Sequence, residues 1–264
     1  METYGIIGKK LGHSFSAVYF NKKFEREGRD AKYNLFPLED ISQFPSLIEQ
    51  QPDLKGLNVT IPYKQDVIKY LDKLSEEAGE IGAVNVVKIF RKDQGTSNFE
   101  KNPDSLIKDD YYLMGFNTDA RGFRASLLPL LHDGIKSALV LGTGGASKAV
   151  KYILENLGIK VTLVSRNPKE GVISYSDITP EIMNQNLLIV NTTPLGMYPD
   201  VDSYAPIPYD LLTDRHICYD VVYNPETTAF MKKAAANGAT VKNGLEMLEG
   251  QAIAAWDIWE NHAL

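Results

Sequence analysis

Leu139-Val140-Leu141-Gly142-Thr143-Gly144-Gly145-Ala146-Ser147-Lys148 reads as an apolar strand, a glycine turn and the start of a helix. Gly142 permits the tight turn, and Gly144 lets the backbone approach a pyrophosphate. The helix that follows offers unpaired N–H groups to negative charge. Ser147 stands where the third glycine of the generic G-x-G-x-x-G pattern would be, so that fingerprint matches only in part. Alone, such a turn is also an ordinary βα connection; its surroundings decide. A strand over 138–141, a helix over 148–156, a turn at Gly158 and a strand over 161–164 make a βαβ unit. Strands at 187–190, 217–222 and 240–242, with a helix over 227–237 closed by Gly238, extend it into a dinucleotide-binding domain.

The second strand of this series runs into Ser165-Arg166-Asn167. An NAD site places an acid there for the ribose 2′-hydroxyl, and this stretch has none. Arg166 offers a bidentate guanidinium to a 2′-phosphate, with Lys169 as a second cation. A solvated surface arginine is the ordinary account, but at this distance from a glycine turn NADP is the expected cofactor.

Upstream, strands are expected at 4–8, 33–36, 57–61 and 83–89, with Pro62 ending the third. Helical segments fall at 17–27 and near 40–50 and 64–74. The apolar pattern lapses over 91–110, a polar surface excursion expected to be dispensable for chemistry. It resumes as a strand at 111–116, a helix starts just after Asp119, and a last helix runs from Leu245 to about Trp259. The fold class expected is α/β with two domains. An N-terminal α/β substrate domain occupies 1–118 and a Rossmann-type NADP-binding domain 119–244, and the C-terminal helix 245–264 packs back on the first.

Composition narrows the function. Of the 264 residues 44% are hydrophobic and 23% charged, so the chain is globular, and its net charge of -6 argues against general attraction to nucleic acid or anionic membranes. Cys218 is the only cysteine, in the apolar run Ile217-Cys218-Tyr219, which excludes an intrachain disulfide and reads as a packed thiol. His13, His132, His216 and His262 lack ligand spacing, so no metal is expected. With neither a signal-peptide pattern nor a membrane-length apolar window, a cytoplasmic monomer or homodimer is expected. Its partner is a small molecule.

Polar clusters stand at the expected strand ends of the first half. In His13-Ser14-Phe15-Ser16 a serine can be a helix N-cap, an account that serves well for Ser16 alone. Alternation puts Asn58 and Thr60 on one strand face, and Lys64 follows as an ordinary helix-start lysine or as something more. Gly82-Ala83-Val84-Asn85 and Asn117-Thr118-Asp119 read singly as turn chemistry. Together they are more specific. HSFS, GLNVTIPYK, GAVN, FNTDARG, LGTGGASKA, NTTPLGM, YDVVYNP and NGLEMLEGQA occur in that order, and the chain resembles the shikimate dehydrogenase family along essentially its whole length.

The resemblance implies NADPH-dependent, reversible reduction of 3-dehydroshikimate to shikimate, in the pathway to chorismate and aromatic amino acids. It puts a catalytic pair at Lys64 and Asp119, and substrate contacts at Ser14, Ser16, Asn58, Thr60, Asn85, Tyr223 and Gln251. It puts cofactor contacts at Gly142, Gly144, Gly145, Ala146, Ser147, Ser165, Arg166, Asn167, Thr192, Gly244 and Met247. The chain departs from the family's usual pattern at Ala17, where proline is common, at Ala120 in place of glycine, at Asn167 in place of threonine, and in the longer 91–110 stretch. None of these removes a catalytic group. Three rivals stand beside this reading: an NAD-preferring quinate/shikimate dehydrogenase, a folate-linked dehydrogenase, and a dinucleotide sensor that kept the fold without turnover. Arg166 counts against the first, the HSFS and NTD clusters against the second, and Lys64 with Asp119 against the third.

Overall fold

The computed structural model describes residues 1–12, 14–91 and 110–260. The excursion expected over 91–110 therefore lies, but for its end residues, outside the described residues, as do His13 and His262. The chain divides into two compact units, 1–118 with 252–264, and 119–251.

The first unit runs β1 (Glu2–Gly8), α1 (Phe15–Glu27), β2 (Ala31–Pro37), α2 (Phe44–Gln50), β3 (Leu54–Val59), β4 (Lys73–Leu74), α3 (Glu76–Ile81), β5 (Val86–Arg91) and β6 (Tyr111–Phe116). Its sheet has the order β2-β1-β3-β5-β6-β4, with β1 parallel to β2 and β3, and β5 antiparallel to β3 and β6. Strand side chains alternate between faces. Ile7, Leu57, Val59, Val87, Ile89 and Leu113 pack on one face with Phe44 and Ile48 of α2. Tyr4, Ile6, Val86 and Phe116 point the other way, against Phe20 and Phe24 of α1 and against Ala252, Ala255, Ile258 and Trp259.

Those last four lie on α8 (Leu245–Trp259), whose final turns complete this core. The Trp259 indole lies on Gly56, where any Cβ would overlap the ring, and its N–H donates to the Val87 carbonyl at 3.2 Å. Arg29 holds the helix end by a bidentate pair with Glu260, both contacts 2.8 Å. Lys88, buried on the same face, donates to the Ile258 carbonyl, one of the terminal carbonyls a helix leaves unpaired. Burial pushes this ammonium down to about 8, with the charge of Glu260 opposing.

The second unit holds α4 (Asp119–Leu127), β7 (Ser137–Leu141), α5 (Gly145–Asn156), β8 (Lys160–Val164), β9 (Val172–Ile173), α6 (Pro180–Gln185), β10 (Leu188–Asn191), β11 (Ile217–Asp220), α7 (Ala229–Ala235), β12 (Thr240–Lys242) and the first turns of α8. Its six strands are all parallel in the order β12-β11-β10-β7-β8-β9. Counted from β7 and read from β9, that is 3-2-1-4-5-6, the doubly wound dinucleotide-binding order, whose ligand crevice lies where β7 and β10 diverge. Cys218 is buried in this core, and burial pushes its thiol up to about 12. Helices α4 and α8 approach closely, with Gly122 against the Met247 carbonyl and Gly250 against the Gly122 backbone. The expected boundary between 119–244 and 245–264 falls at the start of α8. The division instead falls inside the helix, between Gln251 and Ala252.

Several expected elements differ: the strand over 83–89 begins at Val86, and the strand over 217–222 ends at Asp220. The strand over 57–61 stops at Val59, because the Thr60 carbonyl accepts from the Tyr63 N–H and closes a turn through Ile61 and Pro62. The helix over 64–74 is a 3-10 turn at Asp66–Tyr70 followed by β4, and the short α3, capped by Ser75 and Gly82, follows it. Among the described residues no helix is long and apolar enough to cross a membrane, and no cluster of three or more His, Cys, Asp or Glu side chains could hold a metal.

Candidate active site

Register gathers the first unit's candidates at one edge of its sheet. Ile7 of β1 lies beside Val59 of β3, and Asn58 faces Val86, which faces Phe116. The ends of β1, β3 and β6 and the start of β5 therefore share an edge. Thr60 is fixed there by its N–H to the Ile7 carbonyl at 2.9 Å. Lys64 follows in a turn pinned twice: its carbonyl accepts from the Val84 N–H at 2.7 Å, and the Tyr63 hydroxyl beside it donates to the Leu38 carbonyl at 2.6 Å. Asn85 accepts from the Thr118 N–H at 2.7 Å and donates to the Thr118 hydroxyl at 3.0 Å. The Asn117 carboxamide donates to the Ala83 carbonyl. Ser14, not Ser16, is the N-cap of α1, accepting from the Ala17 N–H at 3.3 Å. Its hydroxyl hydrogen remains for another acceptor, while Ser16 is buried in the first turn of the helix.

In the second unit, Asp119 is buried in the first turn of α4, directly after Thr118 in the chain. The glycine turn behaves as its sequence requires. Gly142 has φ +114°, and a side chain there would press on the Thr192 hydroxyl. That hydroxyl donates to the Leu141 carbonyl at 2.7 Å, tying the loop after β10 to the turn. Gly144 faces open space and is the N-cap of α5 without a side-chain cap, so the first N–H groups of this twelve-residue helix are left for a ligand. Ser147 does not fill that role: its hydroxyl donates back to the Gly144 carbonyl at 2.7 Å. Beside the helix start lies a cleft of about 300 Å³ lined by Thr143, Ser147, Lys148, Lys151, Asn167 and Lys169 among others. Arg166 is exposed just beyond β8, close enough to Tyr175 for its charge to oppose the rise that burial gives that phenol. These features fit a phosphorylated dinucleotide: a backbone cradle at the switch point and cations beside it.

Gly244 owes its identity first to packing, since a Cβ there would collide with the Val221 carbonyl. Met247 and Gln251 are buried along α8, and Tyr223 is half-buried, its phenol pushed up by burial.

Four contributors escaped the sequence reading. Lys148 and Lys151 line the same cleft as Lys169, a pair at i and i+3 just past the glycine turn, which was the available signal. Tyr33 donates to the Asn58 carboxamide at 2.6 Å. Asp220, fully buried at the end of β11, accepts from Asn191 and the Val222 N–H, both at 3.0 Å, and from the Thr228 hydroxyl at 2.6 Å. Asn191 accepts in turn from the Thr193 N–H at 3.1 Å. This network sets the loops that carry Thr192 and Tyr223.

Burial raises the Asp220 carboxyl from the ordinary 3.8 to about 6, and its three hydrogen bonds only reduce that rise. Between these values the folded protein holds a proton that the unfolded chain has lost, so stability falls as pH rises through that window and is flat outside it. At about 1.4 kcal/mol per pKa unit the change is roughly 3 kcal/mol. Asp220→Asn removes it. The stability of wild type minus that of Asp220→Asn, from urea unfolding at several pH values, should therefore drop from pH 4 to pH 6.5; a difference that stays level would show an ordinary carboxylate.

Comparison with known proteins is consistent across the chain. Residues 6–87 match the family described as the shikimate dehydrogenase substrate binding domain. The chain is 39% identical over 275 residues to the shikimate dehydrogenase (NADP(+)) of Clostridium beijerinckii, covering 98% of this chain and 92% of that one. Among solved structures it is similar to a chorismate mutase/shikimate 5-dehydrogenase fusion protein from Clostridium acetobutylicum, with 34% identity, TM-score 0.79, and 98% and 91% of the two chains covered. It is similar also to the shikimate 5-dehydrogenase of Thermus thermophilus in complex with NADP(H) and shikimate, with 30% identity, TM-score 0.79, and 99% and 94% covered.

Proposed function

Because the chain belongs to the shikimate dehydrogenase family, we propose that it interconverts shikimate and 3-dehydroshikimate with NADP, using Lys64 and Asp119 as its catalytic pair. The observation that carries this reading is the shared sheet edge, where Thr60, Lys64, Asn85 and Thr118 are each held by backbone hydrogen bonds. NADP, when bound, supplies or takes up the hydride. The protein's task is the proton and the placement of the ring. As the carbonyl is reduced, charge grows on its oxygen; the Lys64 ammonium stabilises that charge and gives the proton, and takes it back in the reverse direction. Asp119 orients the lysine and accepts from the same hydroxyl. Ser14, Ser16, Thr60 and Tyr223 offer hydroxyl donors to the substrate carboxylate, while Asn58, Asn85 and Gln251 can donate and accept at ring hydroxyls. The backbone N–H groups of Gly144, Gly145, Ala146 and Ser147 would hold the pyrophosphate, with Gly142 giving the close approach. Ser165, Arg166 and Asn167 would take the adenosine phosphate, and Thr192, Gly244 and Met247 the nicotinamide half.

Initial rates of NADP reduction with shikimate, beside NAD and quinate, test the reading; absence of turnover with shikimate and NADP would overturn it. Cofactor choice is tested at Arg166, a base where an NAD site carries an acid. Arg166→Ala should weaken NADP relative to NAD by about 1–3 kcal/mol, the range for a lost charge-assisted contact. Equal weakening of both cofactors would move the selection to the lysines of the neighbouring cleft.

A further inference from the structure

Asn58 is almost fully buried on β3, and both ends of its carboxamide meet protein. Its nitrogen donates to the Asn85 carbonyl at 3.3 Å, an acceptor that also takes the Val59 N–H at 2.8 Å. A carbonyl cannot donate, so this contact fixes which end of the amide is nitrogen. The oxygen end then points to Tyr33, whose hydroxyl must be the donor in their 2.6 Å bond. Tyr33 itself is held rigidly: it is buried on β2 and stacked on Phe20 with centroids 5.0 Å apart and planes 15° apart. Burial pushes its phenol well above the ordinary range, which keeps the donor protonated. Tyr33, Asn58, Asn85 and Thr118 thus form one buried polar chain that crosses from β2 to the residues just after β6.

We propose that Tyr33 is a positioning residue for the substrate, its hydroxyl holding the oxygen end of the Asn58 carboxamide in the place from which that side chain meets shikimate. Two of the residues assigned to substrate binding are linked to this one hydroxyl, Asn58 directly and Asn85 through its backbone carbonyl. The Asn85 carbonyl directs only the nitrogen end of this carboxamide; without the Tyr33 donor its oxygen end is left buried and unpaired, and the side chain shifts toward another partner. The inference rests on the proposed substrate reading and adds a residue that no motif marked.

The test is Tyr33→Phe, which keeps the stacked ring and removes only the hydroxyl. KM for shikimate should rise about 10-fold, the cost of a single buried hydrogen bond, with KM for NADP unchanged and kcat within about 3-fold. Asn58→Ala should also raise KM, and the double variant should match Asn58→Ala alone, because Tyr33 acts through that side chain. With 4-aminophenylalanine in place of Tyr33, the ring and a donor are both present, and KM should return to within about 3-fold of wild type. This protein also serves as the second variant should the phenylalanine form fold poorly. A merely structural role would lower thermal stability and leave the shikimate KM alone. An unchanged KM in Tyr33→Phe beside a raised one in Asn58→Ala overturns the role of Tyr33 and leaves the substrate reading standing. Unchanged KM in both removes Asn58 from the site and the proposal with it. A wild-type protein inert toward shikimate overturns the function itself.

Discussion

Lys64→Ala should lower kcat roughly 10²–10⁴-fold, the usual contribution of a general acid–base group. The turn itself should survive, because it is held by the Val84 N–H on the Lys64 carbonyl and by the Tyr63 hydroxyl on the Leu38 carbonyl, neither of which needs the ammonium. KM for shikimate should change far less, since Ser14, Ser16 and Thr60 remain to receive the carboxylate. Asp119→Asn should lower kcat as well, and the double variant should lose much less than the product of the two single losses, because paired groups act as a unit. Were Lys64 an ordinary surface lysine, substitution would change little. Steady-state kinetics on the four proteins, each checked by circular dichroism, separate the two outcomes; a Lys64→Ala enzyme with most of its kcat would remove the proposed mechanism.

The second large effect is on stability. Trp259→Ala should destabilise the first unit by about 3–5 kcal/mol, the range for deleting a buried large aromatic side chain. The indole is packed among Tyr4, Phe20, Tyr33 and Trp256, at centroid distances of 5.1, 5.2, 6.4 and 6.4 Å. It also covers Gly56, which has no side chain with which to refill the gap. Rings held by one another collapse poorly into a void, so the loss should fall toward the upper part of that range. Chemical unfolding followed by far-ultraviolet circular dichroism would measure it. A loss below about 1 kcal/mol would mean that the helix end contributes little to this core.

The second unit was the more legible from sequence, and the reason is physical. Parallel strands buried on both faces read as unbroken apolar runs, and the glycine turn leaves a mark that side chains do not obscure. β7, β8 and β12 lie within a residue of their expected bounds. The first unit hides more. β4 is two residues long, too short for any period, and α3 opens on Glu76-Glu77, which carries no apolar face. The candidate residues of the first site were legible as types but not as a group, since each polar residue at a strand end also has an ordinary turn account. Only strand register brings Asn58, Val86 and Phe116 side by side. Tyr33 could not be found in this way, because a tyrosine in a strand reads as core, and Asp220 lay inside an apolar run that its own network explains only in three dimensions.

The dependence of the first unit on α8 sets an order of events during synthesis. Its own strands are made first, yet Ala252, Ala255, Ile258 and Trp259, which close one face of its sheet, come after the whole of 119–251 has been translated. The second unit is one uninterrupted stretch and can complete its core while the earlier unit still presents Tyr4, Phe20 and Phe24 without their cover. The usual expectation that the N-terminal part of a chain finishes folding first is reversed here. The nascent chain must carry an unclosed aromatic surface for the time needed to make more than a hundred residues, and that interval is when a chaperone would have something to hold.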